Sequence, residues 1–265
     1  MASRDNSGRL LPALAGVLAA LALGGCDAAP AAPASQATAP HERPALGLMT
    51  SLPLYWPEEA SLADIAAGRA VPPWPRRWIE TRYRITPLDT LAPLPALSPD
   101  APDTDPLAGI TRLAVIQPRG LSPADNVALD EWVRGGGRLL MALDPMLTGE
   151  YAAPLGDPRR PVDSALIPPV VARWGMAVSF DAAQAPVVTQ VPLGEGTLPL
   201  ALAGRIAITD PQAARCVVQG EGAIARCTLG RGRVTLIADA ALFEHSDLAG
   251  EEGAALLALL VAGFE

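Results

Sequence analysis

Apolar residues fall in short blocks separated by proline- and glycine-rich breaks, and the spacing inside each block predicts its element. Residues 45–51 (ALGLMTS) read as a first buried strand, followed by the irregular aromatic loop LPLYWP over 52–57. A short helix is predicted over 61–67, with Ser61 as N-cap and Gly68 just past its end. Pro72, Pro73 and Pro75 read as a break, 83–86 as a second strand, and 87–108, rich in proline and aspartate, as a surface loop. The clearest unit follows. RLAVIQ (112–117) is a buried strand, Pro118-Arg119-Gly120 a turn, and Ser122 with Pro123 and Asp125 opens a helix in a capping-box pattern. Leu129, Trp132 and Val133 give that helix its inward face, Gly135-Gly136-Gly137 ends it, and RLLMAL (138–143) is the next strand, closed by Asp144-Pro145. A strand–helix–strand unit of this kind implies parallel strands with a right-handed crossover.

A helix over 166–174 feeds a strand at 176–180, and then the pattern changes. Residues 187–191, 198–202 and 205–209 look like strands with little helix between them, and 215–219 with 223–228 form a candidate hairpin. RVTLIA (233–238) is a buried strand ending at Asp239, and an apolar helix runs over 253–262. The expected fold is an α/β three-layer sandwich with a mostly parallel central sheet, carrying a β-rich insertion at about 185–229 before the last strand and helix.

The first residues are patterned differently. Arg4 and Arg9 precede an apolar run over 10–25, shorter than the roughly 20 residues that span a bilayer. It fits the apolar region of a secretory signal. It ends in Leu23-Gly24-Gly25-Cys26, which resembles the bacterial lipobox, whose cysteine thiol takes the diacylglyceryl group. The expectation is a signal peptide over 1–25, lipidation at Cys26, and an Ala/Pro-rich tether over 26–44 carrying a domain over 45–265. Asp27 resembles the signal that keeps enterobacterial lipoproteins in the inner membrane, so the expected location is that membrane's periplasmic face. Once Cys26 is acylated, Cys216 and Cys227 are the remaining thiols. An oxidising compartment and the hairpin CVVQGEGAIARC predict a disulfide between them, directly across the strands if Glu221-Gly222 forms the turn. The alternative is a pair of free buried thiols.

Composition narrows the partners. All 20 basic residues are arginine, and the net charge is −8. Removing a leader that contains Arg4, Arg9 and Asp5 makes it more negative still. Such a balance argues against nucleic acid as a partner and against a polybasic grip on anionic lipid. The histidines are His41, in the tether, and His245. His245-Ser246-Asp247 is contiguous, so its side chains do not converge as a triad does, and no G-x-S-x-G is present. Asp239, Glu244, His245 and Asp247 bring oxygen and imidazole donors near one another, though a polar loop at a strand end explains them as well. Neither a metal nor a cofactor is expected.

The stretch RLAVIQPRGLSPADNVALDEWVRGGGRLLMALDP (112–145) resembles the core of class I glutamine-amidotransferase-like domains, closest to the non-enzymatic variety in auxiliary proteins of gliding-motility-type ABC transport systems. The segment from Gly230 to Asp239 and the helix behind it are similar to the late part of those domains. The resemblance implies that a catalytic relative would carry a cysteine nucleophile after the strand 138–143. Here that elbow is Leu143-Asp144-Pro145, with no thiol. Gln117, Arg119, Asp144, Asp239 and His245 remain as candidate ligand-binding residues, all but His245 at carboxyl ends of predicted strands, where open α/β sheets bind ligands. The expected role is a non-catalytic, lipid-anchored auxiliary or binding component of an ABC-type transport or envelope system, with inner-membrane transporter subunits as partners. A hydrolase using strand-end carboxylates and a purely structural envelope lipoprotein are the competing readings.

Overall fold

The structure is a computed structural model that describes residues 43–98, 100–194 and 196–265. The expected signal peptide, the lipidated Cys26, Asp27 and the tether up to residue 42 lie outside the described residues. Strand β1 (Ala45–Thr50) is followed by helices α1 (Leu62–Ala66) and α2 (Trp74–Arg82) and by β2 (Arg84–Pro87). Then come β3 (Arg112–Ile116), α3 (Pro123–Arg134) and β4 (Arg138–Ala142). The second half holds α4 (Pro169–Arg173), β5 (Met176–Ser179), β6 (Val188–Leu193), β7 (Gly196–Ala201) and β8 (Arg205–Ile208). The hairpin β9 (Arg215–Gln219) and β10 (Ile224–Leu229) leads to β11 (Gly232–Ile237), α5 (Ala241–Glu244) and α6 (Ala254–Gly263).

The central sheet has seven strands in the order β2-β1-β3-β4-β11-β10-β9. Pairings from β2 to β11 are parallel, and β10 and β9 add antiparallel to that edge. Side chains alternate between the two faces, so each strand feeds two cores. Ala114, Ile116, Leu140 and Ala142 pack with α2, α6 and the β6–β7 hairpin. Leu113, Val115, Leu139 and Met141 pack beneath α3, α4 and β5. The result is the expected mixed α/β sandwich with a mainly parallel centre. α6 is apolar on nearly every side and contacts β4, β7 and α2. Among the described residues, no helix is long and apolar enough to cross a membrane.

The 112–145 unit forms as expected. Ser122 Oγ accepts the N–H of Asp125, whose carboxylate accepts the N–H of Ser122, closing the capping box. Asp125 also accepts Thr90 Oγ1 and the N–H groups of Leu91 and Ala92, which ties the long loop to α3. Burial alone would raise its carboxyl, but these bonds outweigh burial and lower it to about 2.

Three expectations change. Residues 72–75 do not simply break the chain. Pro73 is the N-cap of α2 and Pro75 lies in its first turn, where a missing N–H costs no helical bond. The predicted insertion at 185–229 is narrower, because β9 and β10 extend the central sheet, while β6–β7 and β5–β8 form separate pairs that cover its faces. The helix predicted at 166–174 is confined to α4, with Pro168 as its N-cap and Pro169 as its first residue. The hairpin register is the predicted one: Cys216 lies opposite Cys227 and the two are joined as a disulfide. The turn is longer than two residues, a 3₁₀ turn over Gly220–Gly222 with positive φ at each residue.

Candidate functional site

The chain leaves β1 toward β2 on one side and β3 on the other, so the switch point lies between the carboxyl ends of β1 and β3. Gln117, just past β3, has φ 42, a left-handed conformation uncommon for glutamine. The expected elbow at Leu143-Asp144-Pro145 has no such residue. The turn holds because Gln117 is bonded all round. Its carbonyl accepts Ser51 N (3.1 Å) and Ser51 Oγ (2.6 Å), bridging the switch point. Its Nε2 donates to the carbonyls of Asp144 (3.0 Å) and Val162 (2.9 Å), and its Oε1 accepts Asp144 N (2.8 Å).

The two strand-end aspartates are equally committed. Asp144 Oδ1 accepts Met146 N and Oδ2 accepts Ala240 N, both at 2.8 Å. Asp239 Oδ1 accepts Ala241 N and Oδ2 accepts Ala201 N, both at 2.7 Å. Gln117 and Asp144 are fully buried and Asp239 is 4% exposed. Burial pushes the Asp144 carboxyl up to about 7, against the two backbone donors and with added repulsion from Glu244. Burial and the neighbouring Asp144 charge push Asp239 well above the usual carboxylate range. These groups are clamps: they tie β4 to β11, and β11 to β7.

Beside the clamps lies an open cleft of about 230 Å³. Its walls come from the loop after β1, the start of α2, the loop after β4, and α5, so it sits at the same carboxyl edge. Leu52, Trp74 and Phe243 supply apolar surface, and Glu58, Tyr151 and Glu244 supply polar groups. Glu244 is held rigidly: Oε2 accepts Thr148 N (3.2 Å), Oε1 accepts Gly149 N (3.0 Å), and Tyr151 donates its phenol to Oε1. A Cβ at Gly149 would come within 2.5 Å of Glu244 Oε1, so only glycine allows this approach. Burial, followed by the charges of Glu244, Glu58 and Asp144, drives the Tyr151 phenol far up, and it stays neutral. Glu58 Oε2 accepts Ala152 N (2.8 Å), whereas Oε1 is buried without a partner.

The candidates therefore divide. Gln117, Asp144 and Asp239 are brought together but spent on the fold. Arg119 is exposed on the turn after β3. His245 caps α5, with Nε2 2.9 Å from Thr148 Oγ1. Asp239, Glu244, His245 and Asp247 do not gather into a metal set, and among the described residues no group of three or more His, Cys, Asp or Glu does. Sequence reading missed Glu58, Trp74 and Tyr151, although the aromatic loop at 52–57 marked one wall.

Over 84% of its length the chain is similar to the exo-β-1,4-mannosidase Op5Man5 from Opitutaceae bacterium strain TAV5, at 15% identity and TM-score 0.47, covering 36% of that chain. Over 83% it is similar to a cold-adapted β-galactosidase from Rahnella sp. R3, at 10% identity and TM-score 0.44, covering 32% of that chain. A ThuA-like protein from Parabacteroides merdae ATCC 43184 is similar over 84% of this chain and 89% of its own, at 11% identity and TM-score 0.38. The chain spans about a third of the length of the two glycosidases. Likenesses this distant carry no argument about activity. No curated protein matches the chain. Residues 77–261 match the family described as "Domain of unknown function (DUF4350)". The chain belongs to the DUF4350 family.

Proposed function

We propose that this protein is a lipid-anchored, extracytoplasmic binding module that holds a ligand or partner in the cleft at the sheet's carboxyl edge and does no chemistry on it. The observation that carries this reading is the state of the edge: all four carboxylate oxygens of Asp144 and Asp239 accept backbone N–H groups. General acid–base work needs a carboxyl that reaches the substrate, and nucleophilic work needs an activated nucleophile beside a base. The cleft, in contrast, pairs apolar walls with a few placed polar groups, the usual make-up of a binding site. In this reading Cys26 carries the lipid, Asp27 holds the protein at the inner membrane, and the partner is an ABC-type transport complex, in keeping with the auxiliary domains that residues 112–145 resemble.

A photo-crosslinking residue at position 59, on the cleft, and another at position 217, on the far edge strand, test the reading in native membranes. The expected result is capture of transporter subunits from position 59 and not from 217. Capture from neither position, together with a hydrolase activity abolished by Asp144→Asn, replaces the reading with the enzymatic one. The elevated carboxyl of Asp144 is the observation that favours that second reading.

A further inference from the structure

We infer that the amino edge of the central sheet docks on the phosphate headgroups of an anionic phospholipid surface. This edge lies opposite the cleft, and its docking takes from the proposed function only the lipid anchor. The net charge of −8 argues against such a grip, but it is an average over the chain, and the fold separates its signs. In the sheet, Arg112 pairs with Arg138, Arg138 with Arg233, Arg233 with Thr228, and Thr228 with Arg215. Residues in one such row point to one face. Here it is the face covered by α6, because Arg112 and Arg138 are in phase with Ala114 and Leu140. Arg226, two residues before Thr228 on β10, shares that face. Arg138 donates to the Phe264 carbonyl (3.2 Å) and Arg226 to the Ala262 carbonyl (2.6 Å), at the negative end of α6. Beside that end lies an open depression of about 370 Å³, where Arg226, Thr228, Arg233 and Thr235 face one carboxylate, that of Glu265.

Elsewhere the arginines are spent within the fold. Arg69, Arg76, Arg134, Arg159, Arg160 and Arg173 pair with carboxylates. Among the described residues, the guanidinium groups without an ion pair or hydrogen bond belong to Arg82, Arg84, Arg112, Arg119, Arg215 and Arg233. All but Arg119 stand at the amino edge, Arg82 at the end of α2 and the others at the starts of strands. The charges of Arg112 and Arg82 both reach Tyr83, whose ring packs on Phe264, so the unpaired arginines flank the last turn of α6. Guanidinium forks match phosphate oxygens. At about 4.8 Å between strands, the row from Arg112 to Arg215 is about 19 Å long, a match for several headgroups and not for one small anion. The chain also enters the domain here: β1 opens with Ala45, in register with Arg84, directly after the tether proposed over 26–44. A tether holds its domain at an effective concentration near millimolar, so contacts that are weak singly are sufficient.

The test uses the lipidated full chain in phosphatidylcholine vesicles, with and without about one third phosphatidylglycerol. A fluorophore is placed at Thr111→Cys, on the exposed residue before Arg112, or at Glu59→Cys on the cleft, and the vesicles carry a headgroup quencher. The expected result is quenching at 111 and not at 59, only with phosphatidylglycerol, and relieved by high salt. Arg112→Gln, Arg215→Gln and Arg233→Gln, which remove no bond of the fold, should lower the ratio of docked to free domain about fivefold per arginine. The same exchange at Arg69, Arg119 and Arg159 alters net charge equally and should leave docking unchanged. Quenching at 111 that persists without phosphatidylglycerol or survives the amino-edge triple variant overturns the inference, as does an equal effect of the control set. Release by glycerol phosphate beyond that of chloride at equal ionic strength assigns the edge to a soluble phosphate and overturns it too. So does crosslinking of position 111 to a membrane protein in place of lipid quenching, which assigns the edge to an acidic protein. Loss of quenching with capture from position 59 intact refutes this inference alone; loss of that capture with quenching intact refutes the binding reading alone.

Discussion

Two neighbouring regions of the carboxyl edge carry the same kinds of side chain and use them in opposite ways. At the strand ends, Gln117, Asp144 and Asp239 are buried, and each carboxylate or amide oxygen accepts a backbone N–H. In the cleft beside them, Glu58, Glu244 and Tyr151 are half-buried and crowded with negative charge; Glu244 is bonded as fully as the clamps, and Glu58 keeps one oxygen unpaired. A polar residue at the edge of an α/β sheet thus marks a position of interest without marking a function. What separates clamp from binding group is whether its hydrogen-bonding capacity is already used.

The contrast can be broken first with pH. The Asp144 carboxyl lies at about 7 in the folded protein, against 3.8 for the free group. Between those values the folded state holds more protons than the unfolded one, so stability falls as pH rises from about 4 to about 7, by roughly 4 kcal/mol for this group. Urea unfolding from pH 4 to 8 measures the slope. Asp144→Asn should flatten it, being less stable than the parent at pH 5, with the gap narrowing or reversing at pH 8. A slope unchanged by the substitution would mean that Asp144 is not the source, leaving Asp239 as the raised carboxyl of the edge.

Asp239→Ala comes next. It leaves the part-buried N–H of Ala201 and the buried N–H of Ala241 without acceptors, for an expected loss of about 2–3 kcal/mol in chemical denaturation. A smaller effect belongs to Gly149→Ala, which forces Glu244 away from its donors; about 1–2 kcal/mol should be lost, together with the geometry of the cleft. The smallest belongs to Glu58→Gln, whose stability should stay within about 0.5 kcal/mol of the parent, because the bond to Ala152 survives. If Glu58→Gln destabilises as strongly as Asp239→Ala, the two regions are one, and the cleft is simply more clamp.

Local chemistry was legible in the sequence wherever the partners lie close along the chain. The Ser122–Asp125 capping box, the parallel unit over 112–145 and the Cys216–Cys227 register all depend on short separations. The α2 helix was hidden because proline reads as a breaker unless its place at the helix start is known, and here Pro73 is the N-cap and Pro75 lies in the first turn. For the site, the strand-end positions of Asp144 and Asp239 were readable, but their commitment was not. The cross-links from Ala240 N and Ala201 N come from distant segments. Glu58, Trp74, Tyr151 and Glu244 meet from four separate elements, and no spacing along the chain announces them.

Strand β11, fifth in the order of the seven-stranded sheet, is the last strand in the chain, and it fits between β4 and the β9–β10 hairpin. Every earlier strand can be made before this one arrives, yet the sheet remains two unjoined pieces until residues 232–237 are available. Closing that seam requires long-range pairing of the kind that slows folding. A chain stopped before it would present the open edges of β4 and β10 to any passing strand. The two pieces of the sheet are therefore joined through β11 alone, with Asp239 just behind it as the clamp to β7.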